Sequence, residues 1–194
     1  MIAIDLNAPG RENWKDVIPQ DGKNVLEGCT LAGGKIIASY LKDAYNIAFV
    51  YNPDGAFLHE VELPGIGSLS GFRGKMKDNT AFYSFTSFNY PPMIFKYNIA
   101  ENLSEVFYET EVDFNGNDYE TKQVFYTSKD GTRVPMFIAH KKGIKLDGKN
   151  PTWLYGYGGF NVTYSPSFNA SRALWMEKGG IYALANIRGG GEYG

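Results

Sequence analysis

Three asparagines recur at almost equal intervals in the first half of the chain, each at a turn between two short apolar strands. Asn7, Asn52 and Asn98 lie 45 and 46 residues apart. Four strands in a period of about 40 to 50 residues are typical of a β-propeller blade. Asparagine, aspartate or glycine suits the tight turns of such hairpins. The repeat therefore predicts β-propeller blades over residues 1–111.

The repeat contains too few strands to close a propeller. Inner strands are predicted at 35–40 and 79–85. Further strands are predicted at 2–7, 14–19, 47–52, 56–64, 94–98 and 103–109, which amounts to two blades and the tail of a third. A closed ring takes at least about four blades, and open blades leave unpaired strand edges. We therefore expect either a piece of a larger protein, whose native N-terminus lies before Met1, or a plain β-meander.

Composition agrees with a β-rich globular chain and excludes several functions. Aromatic residues make up 15% of the chain and there are 23 glycines, which favours strands and tight turns. The formal net charge of −2 leaves no basic surplus for nucleic acid. No apolar run approaches the length of about 20 residues that a membrane span needs. Cys29, His59 and His140 are too few and too scattered for a disulfide or a metal site. We expect no cofactor, no nucleic-acid partner and no membrane partner.

From residue 112 onward the pattern changes to that of a sheet with a crossover helix. We predict an antiparallel hairpin, a buried strand, a short helix and a second buried strand, at 119–127 with 133–140, 151–156, 171–178 and 181–187. Asp130-Gly131 between the hairpin strands is a strong turn signal, and Gly179-Gly180 ends the helix. A doubly wound sheet with an antiparallel edge begins in this way. Residues 112–194 are therefore predicted to be the beginning of an α/β domain.

The densest motif follows the first of these buried strands and reads Tyr155-Gly156-Tyr157-Gly158-Gly159-Phe160-Asn161. Loops at that edge of an open α/β sheet bind ligands, and in α/β-hydrolases the loop there contributes to the oxyanion hole. A tyrosine hydroxyl is a neutral hydrogen-bond donor at pH 7. The alternative interpretation is that the glycines merely turn the chain while the tyrosines pack the core.

A second glycine run supports a competing interpretation. The sequence Gly189-Gly190-Gly191-Glu192-Tyr193-Gly194 satisfies G-x-G-x-x-G after a strand, as in dinucleotide-binding oxidoreductases. The helix and the acidic residue that complete that fingerprint would lie beyond residue 194. No serine stands in a G-x-S-x-G elbow, and His59 and His140 are expected to be structural. No complete catalytic set is predicted, so a propeller-type binding module is a third alternative.

Long runs of the second half resemble one family of peptidases. These runs are FYTSKDGT at 125–132, HKKGIKLDG at 140–148, LYGYGGFN at 154–161 and ANIRGGGEYG at 185–194. In order over 118–194 they resemble the prolyl oligopeptidases (prolyl endopeptidases). Residues 82–88 and the blade period resemble the last propeller blades of the same family. The resemblance therefore extends over the whole chain and is strongest after residue 118.

The resemblance implies a propeller that caps an α/β-hydrolase domain, in a serine peptidase that cleaves short peptides after proline. Carried over to the motif, it makes Tyr157 the oxyanion-hole donor, lets Phe160 line the proline pocket, and lets Val162 face the substrate nearby. The family's nucleophilic serine, aspartate and histidine come after the part that the chain matches. We therefore expect a truncated piece, inactive alone and marginally folded, with blades in 1–111 and the start of the catalytic domain in 112–194.

The same resemblance sets the expected partners and location. We expect short proline-containing peptides as partners and a monomeric parent protein. A cytoplasmic location is expected, with the periplasm as the alternative, since a chain without disulfides is compatible with both.

Overall fold

The computed structural model describes residues 1–193, and strands dominate it. The strands of its first part are β1 (Ile2–Ala3), β2 (Lys15–Asp16), β3 (Val25–Ala32), β4 (Lys35–Lys42), β5 (Tyr45–Tyr51), β6 (Phe57–Glu60), β7 (Ser68–Gly74), β8 (Thr80–Thr86), β9 (Met93–Asn98) and β10 (Leu103–Glu109). Strands β3 to β6 form one four-stranded sheet, the first meander, and β7 to β10 form another, the second meander.

Both meanders place consecutive strands side by side as antiparallel neighbours. Strand β4 contains the predicted inner strand 35–40, and β8 contains all but the first residue of the predicted inner strand 79–85. The turn asparagines serve as expected: the Asn52 carbonyl accepts from the Gly55 amide at 2.9 Å, and the Asn98 side chain accepts from the Glu101 amide at 3.3 Å. The predicted repeat of four strands is confirmed.

The N-terminal strands are much shorter than predicted. Instead of 2–7 and 14–19, only β1 and β2 pair, as an isolated two-stranded ribbon. The Asp5 side chain accepts a hydrogen bond from the Asn7 amide at 2.9 Å, and the Asp5 carbonyl accepts from Ala8 at 3.0 Å. Aspartate closes a local turn in this way, which ends the extended backbone soon after Ala3.

The two meanders pack face to face through apolar side chains. The shared cluster includes Ile37 and Val50 of the first meander and Phe72, Tyr83 and Phe95 of the second. The Tyr83 and Phe95 rings stack with centroids 5.1 Å apart. Burial of aromatic and aliphatic side chains is the main stabilising contribution here, at roughly 25 cal/mol per Å² of apolar area.

The remaining strands form a mixed sheet in the second part of the chain. They are β11 (Tyr119–Thr127), β12 (Arg133–Lys141), β13 (Thr152–Gly156) and β14 (Ile181–Ala185), in the order β11-β12-β14-β13. Strands β11 and β12 form the predicted antiparallel hairpin. Strands β13 and β14 are parallel, and α1 (Ala170–Glu177) lies between them in the chain. The predicted order of hairpin, strand, helix and strand is confirmed.

Helix α1 begins and ends on local signals. The Asn169 side chain caps its N-terminus by accepting from the amides of Ser171 at 3.0 Å and Arg172 at 3.3 Å. Such a cap satisfies amides that have no partner within the helix. Gly179 follows with a φ of +84°, a left-handed conformation that glycine adopts without steric cost.

The first strand of the parallel pair is exposed, and the prediction of a buried strand at 151–156 is wrong. All residues of β13 are exposed, and Leu154 is 65% accessible, whereas every residue of β14 is buried. The reason is position: within residues 1–193, β14 lies between two strands, while β13 pairs with β14 alone. Apolar composition predicted a strand here but not its place at the edge of the sheet.

The first meander, the second meander and the mixed sheet meet in one apolar cluster. Ala44 from the turn after β4 and Phe88 from the loop after β8 pack with Phe137 and Tyr182 of the mixed sheet. The Phe88 and Tyr182 rings meet edge to face with centroids 5.1 Å apart. This cluster fixes the mixed sheet against both meanders.

Candidate functional site

Two glycine-rich loops leave the same edge of the mixed sheet. The first glycine loop, residues 157–162, follows β13, and the second glycine loop, residues 186–193, follows β14. Because the two strands are parallel, both loops start at their carboxyl ends, where open α/β sheets bind ligands. The Asn161 amide donates to the Gly189 carbonyl at 3.0 Å. The two loops therefore form one surface.

Glycine is required where the loops touch. A Cβ on Gly189 would lie 1.9 Å from the Gly158 carbonyl oxygen, and a Cβ on Gly158 would lie 2.2 Å from the Arg188 carbonyl oxygen. Gly189 also has a φ of +101°. These two glycines act through close packing between the loops, which agrees in part with the alternative that the glycines serve the local fold.

Phe160 stands out as an exposed aromatic side chain on strained backbone. Its φ is +54° and that of Asn161 is +59°, a left-handed conformation that costs Phe160 about 1–2 kcal/mol and that asparagine tolerates. The Phe160 side chain is 94% exposed, and Val162 beside it is 42% exposed. Strain of this kind accumulates at ligand-binding positions. Phe160 and Val162 therefore offer an apolar contact surface.

Tyr157 holds its hydroxyl without a protein partner among residues 1–193. Its ring packs edge to face on Tyr164, with centroids 5.7 Å apart. A Cβ on Gly159 would lie 2.8 Å from the Tyr157 hydroxyl oxygen, so the glycine leaves room for it. Tyr155 differs, because its hydroxyl donates to that of Tyr164 at 3.4 Å, and this bond raises the pKa of Tyr155. Among residues 1–193, the Tyr157 hydroxyl makes no hydrogen bond, so of the two tyrosines in the motif it is the one that can donate to a ligand.

Two buried polar residues that sequence reasoning missed support this arrangement. Asn186 is buried and donates to the Tyr164 carbonyl at 2.7 Å and to the Glu192 carboxylate at 3.4 Å. Glu192 is itself buried. The pair fixes the backbone of Tyr164, on which Tyr157 packs. A glutamate within a run of glycines was the available signal, since glutamate is rarely buried without a partner.

Both ends of the second glycine loop are tied to other elements. Arg188 forms an ion pair with Asp130 in the turn between β11 and β12, and the guanidinium holds the pKa of that carboxyl well below its usual range. At the far end, the Tyr193 hydroxyl donates to the Asp43 carboxylate of the first meander at 3.0 Å. The loop is therefore held from two sides.

Neither histidine belongs to a serine-based catalytic pair within residues 1–193. His59 lies in β6 with its Nε2 3.1 Å from the Tyr97 hydroxyl, and burial lowers its pKa. His140 is buried in β12, with Nδ1 2.9 Å from the Lys141 carbonyl and Nε2 3.6 Å from a Glu120 carboxylate oxygen. These contacts agree with the structural roles expected for both residues.

The dinucleotide interpretation finds limited support in the second glycine loop. The last glycine of the pattern, Gly194, lies outside the described residues. Gly191, the second, is the glycine that lets the backbone approach a pyrophosphate in that fingerprint, but a Cβ there would lie 3.1 Å from the Asn161 carbonyl oxygen, so the first glycine loop occupies the adjacent space. Residues 186–193 contain no helix onto whose N-terminus a phosphate could bind.

Two further searches cover the described part of the chain. Over residues 1–193, His, Cys, Asp and Glu side chains nowhere gather in a group of three or more that could bind a metal ion. Within the same range, no helix is both long enough and apolar enough to cross a membrane.

Comparison with known proteins gives a consistent set of relatives. Residues 1–110 match the family described as prolyl oligopeptidase, N-terminal β-propeller domain. The prolyl endopeptidase of Elizabethkingia meningoseptica is 48% identical over 194 residues, which cover 100% of this chain and 27% of that protein. The prolyl endopeptidase of Dictyostelium discoideum is 38% identical over 193 residues, covering 97% of this chain and 25% of that protein. The chain thus spans about a quarter of the length of these curated relatives.

Solved structures agree with the sequence relatives. A prolyl endopeptidase structure superposes with a TM-score of 0.89 at 43% identity, covering 100% of this chain and 28% of that one. Prolyl oligopeptidase B from Galerina marginata, bound to a 25mer macrocyclization substrate, gives a TM-score of 0.87 at 31% identity and covers 100% of this chain and 27% of that one.

Proposed function

Because the chain belongs to the prolyl oligopeptidase family, we propose that it is part of a serine peptidase that cleaves short peptides on the carboxyl side of proline. In this proposal residues 1–111 are the last blades of the propeller and residues 112–194 begin an α/β-hydrolase catalytic domain. The mixed sheet with its parallel pair and crossover helix supports the second assignment. Identity to prolyl endopeptidases over the full chain supports the first.

The observation that carries the proposal is the hydroxyl of Tyr157, which has no protein partner among residues 1–193 and lies in the same loop as the exposed Phe160. When a serine oxygen attacks a peptide carbonyl, the carbonyl oxygen becomes an oxyanion, and the hydroxyl of Tyr157 donates a hydrogen bond to it. A donor already in position stabilises this charge more in the transition state than in the ground state. One such donor is worth about 3–4 kcal/mol of barrier.

Phe160 and Val162 supply the proline contact in this proposal. A pyrrolidine ring has no N–H to satisfy, so an exposed aromatic face and an aliphatic side chain match its needs. Phe160 lies on left-handed backbone and is 94% exposed, so its ring is accessible to a ligand. Aromatic stacking adds about 0.5–1.5 kcal/mol beyond the burial of area.

The nucleophile and its proton acceptor come from elsewhere in the parent protein. The serine gives its proton to a histidine, which an aspartate orients, and the three must lie within hydrogen-bond reach of one another. The partners of His59 and His140 among residues 1–193 include no serine. We therefore assign oxyanion binding and proline binding to this chain, and the triad to the rest of the enzyme.

A grafted enzyme tests the proposal. These 194 residues replace the matching segment of the Elizabethkingia meningoseptica prolyl endopeptidase, which is 48% identical to them. The graft is assayed with a chromogenic peptide that carries proline before the leaving group. We expect turnover, and we expect Tyr157→Phe to lower kcat by about 10²-fold with little change in KM.

Two further variants make the test specific. Phe160→Ala is expected to raise KM for the proline substrate by about three- to tenfold, since stacking contributes about 0.5–1.5 kcal/mol. The control is Tyr108→Phe, which removes an exposed hydroxyl on β10 and is expected to leave both constants unchanged. A Tyr157→Phe graft as active as the unsubstituted graft contradicts the role of Tyr157.

A further inference from the structure

The two-residue turn between β4 and β5 adopts a backbone conformation that its second residue, Ala44, disfavours. Asp43 has a φ of +47° and Ala44 a φ of +72°, as in a type I′ turn. The preceding hairpin of the same meander makes the matching turn with Gly33 and Gly34, at +58° and +68°. Glycine adopts this conformation without cost and aspartate is common at the first position of such a turn, whereas alanine at the second position disfavours it. The turn is therefore held in place by contacts outside its own hairpin.

Those contacts come from the mixed sheet. The Ala44 side chain is fully buried in the cluster that contains Phe137 and Tyr182. A glycine here would lack the methyl group that makes this contact. The Gln123 amide of β11 donates to the Asp43 carbonyl. The turn of the first meander is thus inserted against the mixed sheet, and the contacts offset its strain.

The carboxylate of Asp43 reaches the second glycine loop. It accepts a hydrogen bond from the Tyr193 hydroxyl at 3.0 Å. Burial and this bond raise the pKa of Tyr193 to about 12, so the hydroxyl keeps its proton near neutral pH. Tyr193 is the last residue of the second glycine loop. Gly189 of this loop packs against Gly158, and its carbonyl accepts a hydrogen bond from the Asn161 amide of the first glycine loop. A continuous series of contacts therefore leads from Asp43 to the loop that carries Tyr157.

We propose that Asp43 is a positioning residue, which holds Tyr193 and through the second glycine loop fixes the oxyanion donor Tyr157. The inference rests on the proposed function for its effect on catalysis, but the link between the residues stands on contacts alone. Asp43 touches no substrate in this proposal. It acts because two loops in van der Waals contact cannot shift independently of each other.

The Asp43–Tyr193 bond is suited to orientation more than to stability. Both residues line an open polar cavity of about 590 Å³, together with Lys42 and Asp21. Water in such a cavity can replace either partner when the other is removed. A variant that lacks the bond is therefore expected to fold, while its second glycine loop loses its tie to the first meander and keeps the ion pair between Arg188 and Asp130.

The test uses the grafted enzyme and the variants Tyr193→Phe and Asp43→Ala. Each is expected to lower kcat by about tenfold, less than the roughly 10²-fold cost of losing an oxyanion donor, with KM unchanged. Because both remove the same bond, the double variant is expected to be no slower than either single variant. Asp43→Asn keeps an acceptor oxygen and is expected to recover most of the activity. A merely structural role does not predict this separation of kcat from KM.

The matched control is Tyr83→Phe. It removes another tyrosine hydroxyl that donates at 3.0 Å, to Ser104 within the second meander, and it is expected to leave kcat unchanged. Single variants with unchanged kcat would overturn the proposal, and so would losses that multiply in the double variant. Amide hydrogen exchange over residues 189–192 is measured in the same proteins and is expected to quicken in Tyr193→Phe and Asp43→Ala.

Hydrogen exchange separates this inference from the proposed function. An inactive unsubstituted graft contradicts the proposed function, and the exchange rates then still decide whether Asp43 holds the loop. An active graft whose Tyr193→Phe variant shows neither slower turnover nor faster exchange contradicts the positioning role alone.

Discussion

Replacing Gly189 by alanine tests whether the contact between the two glycine loops sets the geometry of the candidate site. Gly189 has a φ of +101°, and a Cβ there would lie 1.9 Å from the Gly158 carbonyl oxygen. Real Cβ contacts essentially never fall below 3.0 Å, so the loops must separate by about 1 Å. The unfavourable backbone costs about 1–2 kcal/mol, and overpacking adds about 1–3 kcal/mol. Folding stability is expected to fall by about 2–5 kcal/mol in total.

The effect on catalysis follows from the displacement. A misplacement of about 1 Å in a reacting geometry can cost about 10²-fold in rate. In the grafted enzyme, kcat/KM for the chromogenic proline peptide is therefore expected to fall by about that factor in Gly189→Ala. The assay is run well below the thermal midpoint of the variant, so that unfolding does not contribute to the loss.

Gly148→Ala is the matched control. Gly148 has a φ of +81°, and a Cβ there would meet nothing within 4 Å. It therefore carries the backbone cost of about 1–2 kcal/mol without the clash, and kcat/KM is expected to be unchanged. If Gly189→Ala keeps kcat/KM within about threefold of this control, the two loops do not position the site as argued.

Three further predictions concern pH, the helix cap and the isolated chain. Burial lowers the pKa of His59 in the folded protein. Below about pH 6.5 the unfolded state therefore binds more protons than the folded state, and folding stability decreases as the pH is lowered. His59→Asn is expected to reduce the drop in thermal midpoint between pH 7 and pH 5, and an unchanged drop counts against this. Asn169→Ala removes the cap of α1 and is expected to cost about 1 kcal/mol, seen as a lower thermal midpoint, while Ser171→Ala is the neutral control. The isolated 194-residue chain is expected to show no turnover of the chromogenic peptide and strong binding of a hydrophobic dye; turnover blocked by a serine-directed inhibitor, or a sharp cooperative melt with little dye binding, contradicts these expectations.

Local patterns predicted those elements whose partners follow directly in the chain. The alternation over 119–127 and 133–140 predicted β11 and β12 almost to the residue, because Asp130-Gly131 fixes the hairpin and its register. The repeat of turn asparagines likewise predicted two four-stranded meanders, because in each meander the paired strands follow one another in the chain. Burial was harder to predict, since the exposure of Leu154 depends on which strands flank β13 and not on its own sequence.

The candidate site could be predicted only as a motif. The run around Tyr157 indicated a ligand loop, but nothing local showed that Gly158 packs on Gly189, about thirty residues further along the chain. The turn at Asp43 and Ala44 gave less signal, because the second position of a type I′ turn usually carries glycine and alanine stands there. Ala44 is held in this turn by its burial in the cluster with the mixed sheet, and Asp43 by bonds to Gln123 and Tyr193, all of which lie far away in the sequence.

The strained backbone positions suggest why the site needs both parts of the chain. Phe160 and Asn161 adopt left-handed conformations beside the exposed surface, and Asp43 and Ala44 do so where the first meander meets the mixed sheet. Strain persists only where surrounding contacts outweigh it. For Ala44 these contacts are the buried rings of the mixed sheet, and for Asn161 they include its bond to the second glycine loop. The first glycine loop, which carries Tyr157, therefore depends on the second glycine loop, which is itself tied to the first meander. The geometry proposed for oxyanion binding is thus a property of the assembled chain and not of the glycine motif alone.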